Sequence, residues 1–412
     1  MKVLLVTHFY PPEMGGGAAR LHGLARWLVH YGHQVTVVTG LPNYPDGVVA
    51  PGYRRKLRMR EEMDGVDVLR TWVYPSSHEK KVRRLANYFS FVGSGAVAGL
   101  TGGRGYDVVL ASSPPPFAGL VGVAAARLRG IPLVLDIRDI WPDVAIESEV
   151  FSAEAFLARA GHRLARFLCR QADHITPVTD EKRAKLIGKG VPAVKLTVVA
   201  NGADLDQANV PRNDDKRAAL GLDGKFVVLY AGLIGHAQGV GVAIEAAERL
   251  KTHEDVHFLI VGDGVQRDAL FQELQNLALA NVTMLPRQPP EEIPSFLAAA
   301  DASLVPLVND DIKTAVPSKL LEAWAHRRPV LLAAAGEAAD LVREGGGGIV
   351  TSPGDPIALA ESVLELKRDR EGLKRYADRG HRYVCKHHDR RALARQMEAV
   401  LEDVVRRSRR EE

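Results

Sequence analysis

At 412 residues the chain exceeds what one hydrophobic core supports, so two domains are expected. Hydrophobic residues at 46% and charged residues at 25% are ordinary globular values and argue against a disordered chain. A net charge of +4 is too mild for a nucleic-acid partner, and two cysteines far apart, Cys169 and Cys385, argue against a disulfide framework or a zinc site and for a reducing, cytoplasmic setting.

The N-terminal run from Lys2 to Thr7 is too short for a signal sequence and predicts a first buried strand. Strands are then expected at 34–39, 66–71, 108–111, 133–136 and 174–178, with helical segments between most of them, a doubly wound parallel pattern. The pattern restarts at 225–230 and continues at 257–261, 282–285, 302–307, 329–333 and 348–350. Between the halves, 198–215 carries Asn201-Gly202 as a turn and Pro211 and Asn213 as breakers, which predicts a linker. The expected domains are 1–205 and 206–381, with 382–412 a basic helical tail packing back on the first domain. This is an α/β chain of two Rossmann-like domains, and ligands of such sheets bind outside the carboxyl ends of the strands.

The loops after those strands therefore carry the candidate chemistry. After the first strand, Gly15, Gly16 and Gly17 precede a helix, where backbone amides could approach a phosphate or sugar without a Cβ in the way; a flexible turn explains them equally well. They are not the dinucleotide fingerprint, which has spaced glycines and an acid at the end of the second strand, so a nicotinamide dehydrogenase is disfavoured. In the second half, Gly232, Gly235, His236 and Gln238 form a comparable loop, and Gly262-Asp263-Gly264 ends the next strand. After 302–307, the segment Thr314-Ala315-Val316-Pro317-Ser318-Lys319 opens into a helix, with Pro317 expected at its first position and the Ser318 and Lys319 amides facing an anion. Glu322 on that helix is placed to accept from two vicinal hydroxyls such as those of a ribose. An ordinary αβ unit with a well-placed proline and a glutamate near the positive dipole end would look the same.

In combination these segments are identified as those of a retaining glycosyltransferase of the GT-B fold, family GT4, over nearly the whole length. The resemblance rests on HFYPPEMGGGAARLHGLARWL, the segment Asp136-Ile137-Arg138-Asp139-Ile140-Trp141-Pro142, VVANGADLD, YAGLIGHAQGV, FLIVGDG and VPSKLLEAWA. The chain is most similar to the WbuB-like and colanic-acid branch of bacterial surface-polysaccharide enzymes. The resemblance implies two parallel sheets facing across a cleft, a nucleotide-diphosphate sugar as donor bound by the second domain, and an acceptor bound by the first. It implies that Glu322 holds the donor ribose. Glu322 stands as the second glutamate of the family's E-x7-E motif; where many members have the first glutamate, facing the sugar, this chain has Thr314, and where they have Arg and Lys against the diphosphate it has Leu233 and Gln238. Neutralisation is then expected from His236, Lys319, Arg287 and the helix-start amides.

Lacking a DxD triplet in a strand-end loop, the chain is expected to act without a metal. The resemblance favours a uridine diphosphate donor, with guanosine diphosphate next. Asp136, Arg138 and Asp139 end an apolar strand and serve either catalysis or a structural ion-pair network; His8 ends the first strand and points toward the same cleft. Basic runs at 53–60 and 80–84 beside an apolar stretch at 85–100 suit either docking on an anionic cytoplasmic leaflet near a polyprenyl-diphosphate-linked acceptor, or a buried helix flanked by solvated arginines. A nucleotide-sugar 2-epimerase and a non-catalytic nucleotide-sugar-binding subunit are the alternatives.

Overall fold

A computed structural model describes residues 1–13, 15–77, 81–141, 155–206, 208 and 210–411. Pro142 and Lys80, parts of two segments singled out above, lie outside the described residues. The chain divides into two compact units, Met1–Asn201 with Arg390–Glu412, and Gly202–Asp389.

The first unit is built on a seven-stranded sheet of β1 (Lys2–Val6), β2 (Gln34–Gly40), β3 (Arg58–Met63), β4 (Val66–Thr71), β5 (Val108–Ser113), β6 (Leu133–Ile137) and β7 (His174–Pro177), in the order β3-β4-β2-β1-β5-β6-β7. Every pairing is parallel except β3 with β4. Central strands such as β5 are buried at every position, as expected when helices cover both faces. Alternate residues go to opposite cores: Leu4 and Val6 join one cluster, Val3 and Leu5 the other.

The first cluster lies under α2 (Lys81–Thr101) and α3 (Pro116–Arg129); α4 (Ala155–Gln171) and α5 (Asp180–Gly188) complete that side of the chain order. The second cluster is closed by α1 (Gly16–His30) and by the last helix, which contributes Ala394, Met397, Leu401 and Val404 at helical spacing. Strand β3 is the one element of this sheet with no counterpart in the predicted pattern. Its exposures alternate because it is an antiparallel edge strand, and charges on such an edge discourage pairing with another chain. Part of the basic run at 53–60 is therefore sheet, and Arg60 is held in a two-point contact with Asp67 at 2.6 Å.

The second unit carries a six-stranded, wholly parallel sheet of β8 (Phe226–Leu233), β9 (Val256–Asp263), β10 (Val282–Leu285), β11 (Ala302–Pro306), β12 (Val330–Ala333) and β13 (Gly348–Thr351), ordered β10-β9-β8-β11-β12-β13. Its helices are α6 (Asp214–Ala219), α7 (Gly241–Arg249), α8 (Arg267–Leu277), α9 (Ile293–Ala299), α10 (Ser318–Ala325), α11 (Glu337–Gly345), α12 (Pro356–Arg368) and α13 (Arg370–His387). Asp355 and Asp369 cap α12 and α13 by accepting from amides one turn on, which marks each helix start. Because Arg370–His387 is one continuous helix of this unit, the chain returns to the first unit only at Arg390, later than the expected 381/382, with α14 (Arg390–Glu411). Among the described residues no helix is long and apolar enough to cross a membrane.

Candidate active site

In the second unit the carboxyl ends of β8 and β9 run side by side in register to Gly232↔Gly262 and Leu233↔Asp263. That pairing brings the backbones so close that a Cβ at Gly262 would sit 1.9 Å from the Gly232 carbonyl oxygen, and one at Gly264 would sit 2.4 Å from that of Ile234. Both glycines also have positive φ. Only glycine fits, and the result is bare backbone at the strand ends. The short turn His236–Gln238 follows, ending at Gly239, where a Cβ would meet the Leu307 backbone at 2.8 Å. His236 accepts at Nδ1 from Gln266 at 3.0 Å, and the Gln238 side chain folds over Gly235. Asp263 spends one carboxylate oxygen on the amide of Gly264 at 2.8 Å, which closes its own turn.

Helix α10 delivers two further groups. Pro317 is its N-cap rather than its first residue: φ −63° and ψ 131° are extended, and its carbonyl accepts from Leu320 at 3.1 Å. The first helical amides are therefore those of Ser318 and Lys319, and neither has a backbone partner among the described residues. The Lys319 side chain turns back toward β8. Its Nζ donates to the Tyr230 hydroxyl at 2.9 Å, lies 4.2 Å from the centre of that ring, and stands 3.0 Å from where a Cβ of Gly232 would be. The Tyr230 hydroxyl in turn donates to the Leu233 carbonyl. A cation is thus pinned beneath the glycine loop by a tyrosine that is itself tied to the loop. Burial pulls the Lys319 pKa down to about 8, opposed by the nearby charge of Glu322. The half-buried Glu322 carboxylate has no hydrogen-bond partner among the described residues.

What orients α10 is Trp324, fully buried on its inner face. The indole Nε1–H donates to the Gly347 carbonyl at 2.8 Å, and a Cβ at Gly347 or Gly380 would come within 2.4 Å of the ring. Three glycines, counting Gly345, form the socket. Thr314 is buried at 4% exposure, and Ala315 packs against the core rather than standing open. Val316 and Ser318 are half-buried, and Arg287 follows β10 on the sheet edge.

In the first unit Asp136 is structural. It is fully buried and takes Arg20 at 3.0 Å, Ser112 at 3.3 Å and Thr176 at 3.2 Å, while Arg20 also donates to Val199 and Ala200. This one pair stitches α1, β6 and the 199–201 segment. Arg138 donates to Ser112 at 3.1 Å and to the Pro114 carbonyl, and its guanidinium occupies the space a Cβ of Gly17 would need, 1.9 Å away. The missing Cβ at Gly17 thus makes room for Arg138; Gly15, with φ 135°, is the N-cap of α1, and Gly16 its first residue. Asp139 is half-buried, 3.9 Å from Lys182; burial raises its pKa, and Lys182 and Arg138 oppose the rise. His8 departs from expectation. It does not open toward a ligand but is 2% exposed, its Nε2 2.6 Å from Asn87 Oδ1 and its ring edge-on to Phe9, Tyr88 and Phe91.

One acid in this unit escaped sequence reasoning. Glu13 is 5% exposed and accepts from the amides of Asn43 and Tyr44, both at 3.0 Å, through one oxygen, while Oε2 is buried without a partner among the described residues. The adjacent Pro-Pro and Gly-Gly-Gly were the only local signal. Burial pushes its pKa up to about 7 from 4.5, against the pull of the two amides. The folded state therefore binds this proton more tightly than the unfolded chain. Stability from the group is complete below about pH 4.5 and is lost as pH rises through 7. Glu13→Gln is expected to stabilise the protein by roughly 2–3 kcal/mol at pH 8 and to change little at pH 4.5, measured by urea unfolding at both values. Equal effects at the two pH values would contradict the buried-acid assignment.

The one described cluster of histidine and carboxylates close enough to share an ion is His33, Glu398 and Glu402, where α14 packs beside the start of β2. His33 Nε2 is hydrogen-bonded to Glu398 Oε1 at 2.7 Å there.

Two family models match the chain in succession: a glycosyl transferase 4-like domain over residues 15–202 and glycosyl transferases group 1 over residues 212–382. The two matches in succession make the chain a glycosyltransferase. Among curated proteins this glycosyltransferase is 28% identical over 332 residues to a putative colanic acid biosynthesis glycosyl transferase, WcaI, of Escherichia coli, covering 79% of this chain and 81% of that protein. It is 27% identical over 264 residues to a probable glycosyltransferase, WbjE, of Pseudomonas aeruginosa, covering 63% and 66%. Its fold is that of the GT-B glycosyltransferases. A crystal structure of Anabaena HepE in complex with UDP and glucose superposes with a TM-score of 0.74 at 22% identity, covering 98% of this chain and 99% of that one. WaaG, a glycosyltransferase involved in lipopolysaccharide biosynthesis, gives 0.67 at 17% identity, covering 97% and 99%.

Proposed function

We propose that this transferase moves a sugar, with retention, from a UDP-sugar to a glycan or a polyprenyl-diphosphate-linked acceptor in the synthesis of a bacterial surface polysaccharide such as capsule or lipopolysaccharide. The observation that carries the reading is the convergence of Lys319, the Ser318 and Lys319 amides and the unpartnered Glu322 carboxylate on one end of the sheet, beside the bare Gly232 backbone. Glu322 accepts from the ribose hydroxyls. Lys319 and the two amides neutralise the diphosphate, which leaves with the electron pair of the sugar C1–O bond as the acceptor oxygen bonds to C1 on the same face. The acceptor proton passes to the departing diphosphate oxygen, and Asp139 and Arg138 are assigned to seating the acceptor on the first unit. Gly235, His236, Gln238, Gly262, Asp263, Gly264, Arg287 and the 314–317 loop complete the donor surface. UDP as the nucleotide is supported by the solved neighbour that holds it.

No metal is needed in this scheme, because fixed amides and a cation do the neutralising. Peripheral contact with the inner leaflet is part of the reading, supported by Phe89, Val97 and Leu100, exposed along α2, whose first turn is basic. The test is turnover of a nucleotide-sugar panel in the presence of EDTA: release of UDP and free or transferred sugar, undiminished by the chelator, is expected. UDP release abolished by EDTA and restored by a divalent cation would contradict the metal-independent mechanism.

A further inference from the structure

The first unit contains a groove of about 910 Å³ that no step above uses except at its edge, where Asp139 lines it. One wall is α4, a helix without a single acidic residue. Its residues Arg159, Arg163, Arg166 and Arg170 fall at successive three- and four-residue steps, so they share one face, and all four line the groove. Lys189 and Lys195 face them from the segment after α5. Among the described residues the lining thus has six lysine or arginine cations against one carboxylate, Asp139. Arg163, Arg166 and Arg170 make no hydrogen bond or ion pair among the described residues. Such a crowd of like charges costs free energy that an anionic ligand would recover.

The floor has the opposite character. Ile137, Ile140, Trp141, Leu186 and Val191 line it, the first two from the end of β6 and just beyond. A wholly hydrophilic anion would gain nothing from that surface, and a neutral lipid would leave the arginines unmatched. Guanidinium groups pair best with phosphate oxygens, two N–H bonds at a time, and the apolar floor suits a hydrocarbon chain. We infer that this groove binds a single-chain lipid phosphate or diphosphate, with its head on Arg163 and Arg166 and the near end of its chain on Ile137, Ile140 and Val191. Its role as sugar acceptor rests on the transferase reading above; its binding does not. A lipid head seated there places the molecule beside Asp139.

The experiment is titration of the full chain with geranylgeranyl diphosphate, inorganic diphosphate and geranylgeraniol, alongside flotation with phosphatidylglycerol vesicles. The prenyl diphosphate should bind at least about tenfold tighter than either fragment. Arg163→Glu/Arg166→Glu should weaken it by at least about tenfold, Arg163→Gln/Arg166→Gln by less, and the charge-matched control Lys374→Glu/Lys386→Glu, exposed on the second unit, should leave it unchanged. Vesicle flotation should be the same in all of them, and an unchanged denaturant transition of the first unit in the groove variants would show that they remain folded. Binding unaffected by the groove variants would overturn the inference. So would inorganic diphosphate binding as tightly as the prenyl compound, which marks a bare anion site, or association with vesicles alone, which marks surface docking. Loss of UDP binding in the wild type with prenyl diphosphate binding intact would instead sink the donor-site reading and leave the groove standing.

Discussion

Replacing Lys319 with methionine is expected to lower kcat/KM for the nucleotide sugar by about a hundred- to a thousandfold, the scale seen when one preorganised group opposite a developing negative charge is removed. Methionine keeps most of the length of the side chain and its apolar stem while removing the ammonium, so the loss reports chiefly the charge. The pH profile provides an independent check. With its pKa drawn down to about 8 by burial, Lys319 in the free enzyme is cationic below that value and neutral above it. Since kcat/KM follows the free enzyme, it should fall above about pH 8 in the wild type, and that limb should vanish in Lys319→Met. An unchanged alkaline limb in the variant would assign the titration to another group. Tyr230 acts through Lys319: Tyr230→Phe removes the hydroxyl that holds Nζ and should reproduce part of the loss without abolishing activity.

Trp324→Ala is expected to destabilise the second unit by about 3–5 kcal/mol, because it empties a fully buried indole site and strands the Gly347 carbonyl. The surrounding socket is made of glycine backbone, which has no side chains to collapse into the void. The same packing sets the rotation of α10, which presents Ser318, Lys319 and Glu322. Trp324→Phe should therefore cost less stability but still weaken donor binding. Denaturant unfolding should show the transition of the second unit moving alone, since the two units have separate cores and need not unfold as one. Movement of both transitions together, or a cost below about 1 kcal/mol, would show that α10 is held by other contacts.

Most of the fold was legible because buried parallel strands are nearly continuous apolar runs. β1, β5, β8 and β11 stand out between glycine- and proline-rich loops, and their boundaries differ from expectation by a few residues. Strand β3 was not legible because its sequence, RMREEM, is charged on both faces; only its pairing with β4 makes it a strand. At the candidate site, what was legible is the placement of the glycines at strand ends and of Glu322 near a helix start. The fold-back of Lys319 was not, since it depends on Tyr230, a residue that reads as ordinary core. Nor was the division of labour in Asp136-Ile137-Arg138-Asp139. Asp136 is consumed by Arg20, 116 positions away in sequence, and that leaves Asp139 as the accessible acid. His8 misled for the reverse reason: a histidine at a strand end looks open until α2 closes over it with Asn87, Tyr88 and Phe91.

The most direct test is calorimetric titration of the protein with a panel of nucleoside diphosphates, with Glu322→Ala beside the wild type. The expected result is selective binding of UDP, weakened by at least about tenfold in the variant as the ribose loses its charged acceptor. If no nucleoside diphosphate binds, or if Glu322→Ala binds UDP as tightly as the wild type, the start of α10 is not the donor site.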